Sequence, residues 1–269
     1  MLAATIHRQA SFLCVGLDPD PARLPPHLLQ GEEDPLLAFN RQIIEATLPY
    51  AVAYKPNLAF YEARGMAGWQ ALEQTLALIP PDRMIIADAK RGDIGNTSRL
   101  YAQALFEGLG ADAATVAPYM GEDSVSPFLE MAGKWTLVLA LTSNPGAQDF
   151  QYAGAQAGEP LYASVIWKSQ AWAAGKPGLL GFVVGATRAE TLSEIRRMAP
   201  QELILAPGVG EQGGDLEQVC RLGRNEWGGL LVNVGRSILY AGSGRDFAEK
   251  AGQKAASIAR EMRKFIPDM

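Results

Sequence analysis

Eight short apolar runs, at residues 12–17, 51–54, 84–87, 113–117, 136–141, 179–185, 203–206 and 230–234, recur along the 269 residues, and no other feature limits the fold as tightly. Each run is continuous instead of alternating, the pattern of parallel strands buried on both faces. Helical patterns fill the gaps. Asp34-Pro35 offers an N-cap followed by proline at the first helical position. Thr187-Arg188-Ala189-Glu190 has capping-box spacing and opens another helix. Strand then helix, eight times over, predicts an α/β fold: one (β/α)8 TIM-barrel domain over residues 1–269. A doubly wound open sheet is the alternative, but it usually has fewer strands. No Pro/Ser-rich linker or composition shift divides the chain. One connection, 144–178, is oversized at about 35 residues, with a Gly/Gln/Ala-rich start and a predicted helix over 160–174. Loops in such units usually run ~2–6 residues, so an active-site loop and a plain surface insertion both stay open.

Composition narrows the function classes. A net charge of −5 and the lack of a polybasic run provide no field for nucleic acid or anionic membrane. The apolar stretches are strand-sized, well short of the roughly 18 residues of a membrane span. The N-terminus lacks the pattern of a secretory signal, so a cytoplasmic location is expected. Cys14 and Cys220 lie in apolar patterns far apart in sequence and read as buried thiols in a reducing compartment. His7 and His27 have no ligand-like spacing, which argues against a zinc enzyme or a His-based triad.

Asp88-Ala89-Lys90-Arg91-Gly92-Asp93 sets acid, base and acid at the end of the third run. Strand alternation would send Asp88 and Lys90 from one face. Charges at the mouth of a buried strand are costly unless paired or used; a structural ion pair is the plain alternative. Barrel enzymes carry their chemistry at the C-terminal ends of the strands, and polar residues gather there. Asp18 ends the first run, Lys55 the second, Asp88 and Lys90 the third, and Thr142-Ser143-Asn144 the fifth. Gln212 follows the seventh, and Gly235-Arg236 the eighth. Any one could be a helix cap; so many on one rim are harder to explain that way.

Gly208-Val209-Gly210-Glu211-Gln212-Gly213 matches the dinucleotide fingerprint in form only. It follows the seventh run instead of opening a βαβ unit, and no acidic residue ends the next strand. Its glycines would let backbone amides approach a phosphate, with Arg236 as a bidentate partner. Tight-turn glycines beside a surface arginine are the alternative.

These residues, taken together, resemble the orotidine 5'-phosphate decarboxylases, which make UMP from orotidine 5'-phosphate. The likeness covers nearly the whole chain. It rests on Val15-Gly16-Leu17-Asp18-Pro19-Asp20, Tyr54-Lys55-Pro56-Asn57 and Asp88-Ala89-Lys90-Arg91-Gly92-Asp93-Ile94-Gly95-Asn96-Thr97. It continues in Leu141-Thr142-Ser143-Asn144-Pro145-Gly146, in Pro207-Gly208 through Gly213-Gly214, and in Val234-Gly235-Arg236. The third and fourth strings resemble the subgroup with a longer loop after strand five.

The resemblance implies a lyase free of cofactor and metal, built on an alternating array of Lys55, Asp88, Lys90 and Asp93. It implies a homodimer in which Asp93 and Thr97 reach the neighbouring site. Asp18 and Lys55 would hold the ribose hydroxyls, Ser143 the pyrimidine, and Gln212, Gly235 and Arg236 the 5'-phosphate. Two rivals remain. One is a Mg2+-dependent sister enzyme acting on a sugar phosphate, which would need a further carboxylate ligand. The other is a non-catalytic nucleotide-phosphate sensor, which would not need the Lys–Asp–Lys–Asp array.

Overall fold

Strand and helix alternate along the chain as the apolar runs predict. The computed structural model describes residues 1–31, 33–154, 158–185, 189–208 and 215–266. Eight parallel strands close into a barrel in the order β1 to β8. They are β1 Leu13–Leu17, β2 Ala53–Pro56, β3 Met84–Arg91, β4 Ala113–Val116, β5 Trp135–Leu141, β6 Leu179–Val184, β7 Leu203–Pro207 and β8 Leu230–Val234. The helices are α1 Leu2–Gln9, α2 Pro35–Thr47, α3 Ala59–Glu62, α4 Gly65–Ala77, α5 Gly95–Gln103 and α6 Glu122–Leu129. They continue with α7 Ala147–Phe150, α8 Leu161–Ala173, α9 Ala189–Met198, α10 Leu216–Gly223, α11 Arg236–Leu239 and α12 Phe247–Met262.

The residues group into two compact units, Met1–Asp88 with Asn233–Met269, and Ala89–Val232. In the first, β1 pairs with β2 from Cys14 opposite Ala53 to Leu17 opposite Pro56, and β2 pairs with β3 at Ala53–Met84 and Tyr54–Ile85. Asp34 caps α2 as its sequence predicts: its carboxylate accepts from the Leu36 and Leu37 amides at 2.9 and 3.3 Å. Phe39 of α2 stacks on Phe247 of α12, centroids 5.1 Å apart. The buried Asn40 amide donates to Tyr61 Oη (2.9 Å) and Thr75 Oγ1 (3.1 Å), and the Tyr61 hydroxyl donates to the Leu17 carbonyl at 3.0 Å. That chain of bonds ties α2, α3 and α4 to the C-terminal end of β1, where the first site residue begins.

In the second unit, β4–β5, β5–β6 and β6–β7 form parallel ladders, with a register shift between Leu139 and Leu141. Arg196 on α9 donates to the carbonyls of Ala199, Glu202, Gly223 and Gly229. Burial pulls its pKa down to about 10. The nearby Glu202 carboxylate partly offsets that burial, and the carbonyl contacts link the ends of α9 and α10 to the loops before β7 and β8.

Most strand ends fall within one residue of the sequence reading; the second and third strands and the long connection differ by more. The second strand starts and ends two residues later than 51–54, because its ladder with β1 runs on through Lys55 and Pro56. The third strand extends to Arg91. The long connection holds α8, close to the expected 160–174, and also the short α7. Thr187 and Arg188 of the expected capping box lie outside the described residues; α9 starts directly after them.

Candidate active site

In the first unit the site residues assemble around a buried cation. Lys55 sits within β2, 4 % exposed, and its ammonium lies 2.5 Å from Asp88 Oδ2. Asp88, also buried, is on β3, and its backbone carbonyl accepts the Leu58 amide at 3.2 Å, which holds the chain leaving β2. Asp18 follows β1 and accepts the Asn57 amide on Oδ1 at 3.1 Å. Burial by itself would lower the Lys55 pKa, but the carboxylates of Asp18 and Asp88 more than offset it and hold the group above the ordinary lysine range. The result is a fixed positive charge between two acids, where low polarity magnifies its field.

Glycines let the ends of β1 and β8 come together at this point. A Cβ on Gly16 would stand 3.1 Å from Gly235 Cα and 3.5 Å from both Asp18 Oδ2 and Asn233 Oδ1. Gly235 and exposed Arg236 begin α11 directly after β8, beside the Asp18 carboxylate, which would lie 3.6 Å from a Cβ on Gly235. Below them lies Cys14, whose Sγ is 3.7 Å from Asn233 Oδ1. Its pKa is pushed up to about 12, first by burial, so the thiol stays neutral beside the charged lysine.

In the second unit Lys90 lies on the exposed end of β3 and has a φ of 47°, a left-handed backbone for a residue that is not glycine. The alternation argument for Asp88 and Lys90 therefore stops short: at Lys90 the chain leaves the extended region. Three contacts hold this turn. The buried Thr115 hydroxyl on β4 accepts the Lys90 amide at 2.9 Å, the Arg91 guanidinium donates back to the Ala89 carbonyl at 3.0 Å, and the Ala117 amide donates to the Arg91 carbonyl at 2.8 Å. Gly92 has to be glycine, since a Cβ would come within 2.7 Å of the Ala117 carbonyl oxygen. A non-glycine residue held at such a φ stores local strain, a feature that concentrates at functional positions.

Asp93 is half-buried and accepts the Ile94 amide at 2.7 Å; Thr97 is exposed on the first turns of α5. Ser143 lies after β5, packed against Gly185 so closely that a Cβ there would be 2.7 Å from the Ser143 nitrogen. Its neighbour Thr142 is held by Gln151, which accepts the Thr142 amide at 2.7 Å and donates to its hydroxyl at 2.8 Å. Gln212 lies outside the described residues. Among the described residues no three His, Cys, Asp or Glu side chains are placed to hold a metal ion.

Sequence reasoning overlooked the supporting residues. Asn57 and Thr115 act through contacts between a backbone amide and a side chain, and no pattern of residue types announces these. Asn57 does stand in the Lys55-Pro56-Asn57 string that carries part of the resemblance, the only available hint.

Residues 11–251 match the family described as Orotidine 5'-phosphate decarboxylase / HUMPS. An orotidine 5'-phosphate decarboxylase of Phocaeicola vulgatus is 52% identical over 268 residues, 98% of this chain and 97% of that protein. One of Porphyromonas gingivalis is 55% identical over 260 residues, 96% and 93% of the two chains. The structure of Leishmania donovani OMP decarboxylase superposes with a TM-score of 0.79 at 34% identity, covering 96% of this chain and 99% of the other. With the matched span taking in every site residue described above, the chain belongs to the orotidine 5'-phosphate decarboxylase / HUMPS family.

Proposed function

We propose that the chain converts orotidine 5'-phosphate to UMP and CO2 without metal or organic cofactor, with Lys90 stabilising the C6 carbanion and then protonating it. The observation that carries this reading is the buried Lys55 ammonium, held charged by Asp18 and Asp88, with Lys90 two residues beyond Asp88 on the same strand. Close relatives over nearly the full chain bear the name of this decarboxylase, which favours it over the sugar-phosphate reaction.

The chemistry asks for such an array. Loss of CO2 from C6 leaves an electron pair in an sp2 orbital that the ring cannot delocalise well. The barrier must then fall through charges fixed before the reaction. Two unit charges ~4 Å apart at an effective dielectric of ~20 interact by about 4 kcal/mol, worth several decades of rate. In this scheme Asp18 and Lys55 hold the ribose hydroxyls, Ser143 the pyrimidine, and Gly235, Arg236 and Gln212 the 5'-phosphate. Asp88 and Asp93 flank Lys90 in the charge array.

We place Asp93 and Thr97 in the neighbouring site of a homodimer. The support is an exposed face at the start of α5: Ile94, Thr97 and Tyr101 share helical spacing, and Ile94 and Leu100 are 59% and 57% exposed. Apolar side chains left open beside site residues suit a second copy. A cytoplasmic setting belongs to the same proposal, supported by the two free buried thiols.

The test is the ultraviolet absorbance of orotidine 5'-phosphate mixed with purified protein in excess EDTA, alongside Lys90→Ala. Rapid loss of substrate absorbance in the wild type, slowed by at least about a thousandfold in the variant, is expected. Near-normal turnover by Lys90→Ala would end the Lys90 assignment, and turnover only with Mg2+ on a sugar phosphate would end the decarboxylase reading.

A further inference from the structure

Tyr240 stands one helical turn after Arg236, and its amide donates to the Arg236 carbonyl at 3.0 Å. Its hydroxyl meets a different part of the chain. It accepts the Asp20 amide at 2.7 Å and points its own hydrogen to the Asp18 carbonyl, a longer contact of 3.5 Å. Asp20 in turn caps the turn Pro21–Arg23 through the Ala22 amide at 2.9 Å. That turn brings the Arg23 guanidinium over the Tyr240 ring, 3.6 Å from its centroid. Phe39 stacks on the same ring with centroids 6.1 Å apart. The segment after β1 is thus held by Tyr240 at three points: two backbone groups and one side chain. Each of these groups belongs to the first unit.

We infer that Tyr240, with Arg23 stacked on it, is a positioning residue that couples the Gly235-Arg236 turn to the Asp18 carboxylate. The inference rests on the phosphate role proposed for Arg236. Asp18 lies against Gly235, accepts the Asn57 amide and sustains the charge on Lys55. A phosphate that fixes the Gly235-Arg236 turn therefore fixes Tyr240, and Tyr240 fixes the segment that carries Asp18. Binding energy at a group remote from the reacting carbon is in this way passed to the residues around the ribose, as expected of an enzyme that uses remote contacts to orient the reacting ring. Burial raises the Tyr240 pKa, so its hydroxyl keeps the proton that this bonding needs.

A double-mutant cycle on the full-length protein tests this, with Tyr240→Phe and Arg236→Ala assayed on orotidine 5'-phosphate and on orotidine. Tyr240→Phe keeps the ring and its stacking and removes one hydroxyl. The expected result is a loss of about tenfold in kcat/KM on the phosphorylated substrate, carried mainly by kcat, and under about twofold on orotidine. In the Arg236→Ala background the same change should add little, the sign of two residues acting as one. Equal losses on both substrates, with Arg236→Ala still selective for the phosphorylated one, would overturn the coupling and leave Tyr240 a packing residue. If Arg236→Ala itself hurt both substrates equally, the phosphate reading would fail first and this inference with it. Should Tyr240→Phe melt far below the wild type, Arg23→Ala leaves the hydroxyl in place and reads the same ratio: selective loss upholds the coupling, and equal loss rejects it.

Discussion

The structural part of Lys55 and the catalytic part proposed for it can be pulled apart by substitution. Its bond to Asp88 is buried, with side chains 5% and 9% exposed. Removing one partner of such a pair typically costs about 3–5 kcal/mol, whereas replacing both by apolar groups of similar size is often close to neutral. Lys55→Met is therefore expected to lower unfolding stability by about 3 kcal/mol, measured by urea denaturation. Adding Asp88→Leu should recover much of that stability while leaving turnover on orotidine 5'-phosphate undetectable. A double variant that regained activity would show the pair to be structural only. The pH dependence follows from the raised Lys55 pKa. A base raised above its unfolded value stabilises fully below that value, ~10.4 for lysine, and loses the contribution as pH climbs through the folded pKa. The stability gap between wild type and Lys55→Met should thus be flat through neutrality and close only in strong alkali.

At the level of elements, α2 is where local chemistry and fold agree best, and Asp34 is the reason. It accepts two amides as N-cap and also meets Arg64 through paired contacts of 3.2 and 2.6 Å. Asp34→Ala is expected to cost about 2 kcal/mol, one part cap and one part half-buried ion pair. Burial works against ionisation of this carboxyl, but the Arg64 contact and the two amides outweigh it and lower the pKa. Its contribution is present above the unfolded value of ~3.9 and fades as pH falls through the folded one, so the gap to the variant should shrink in urea melts below pH ~4. The cap was legible because residues 34 and 35 decide it alone. The end of β2 was not: the apolar run stops at Tyr54 with the charged Lys55 at its end, and the strand passes on through Lys55 and Pro56 because β1 offers ladder partners, Gly16 and Leu17. Lys90 is a similar case, since its left-handed φ depends on Thr115, a residue from the next strand. The principal charged residues stood out in sequence because acid and base at the ends of apolar runs are rare. Tyr240 did not, its partner Asp20 being 220 positions away.

For the whole molecule the sharpest expectation concerns the assembly. If Asp93 and Thr97 serve the neighbouring site, each site takes Lys55, Asp88 and Lys90 from one chain and Asp93 from the other. Lys90→Ala and Asp93→Ala homodimers would then both be inactive, for different reasons. In a mixed dimer one site gathers both defects, while the other receives the intact Lys90 of one chain and the intact Asp93 of its partner. Random exchange of equal amounts makes half the dimers mixed, with one good site in two, so activity should return to about a quarter of the wild-type level. Subunit exchange can be promoted by dilution and mild denaturant, and followed by the same absorbance assay. The exposed Ile94 and Leu100 provide the control. Leu100→Asp puts a charge where a second copy would bury an apolar side chain, and should yield a monomer by sedimentation with little activity at low protein concentration. Recovery near a quarter would place Asp93 in trans. No recovery despite proven exchange would place Asp93 in the site of its own chain, and the α5 face would then need a different partner.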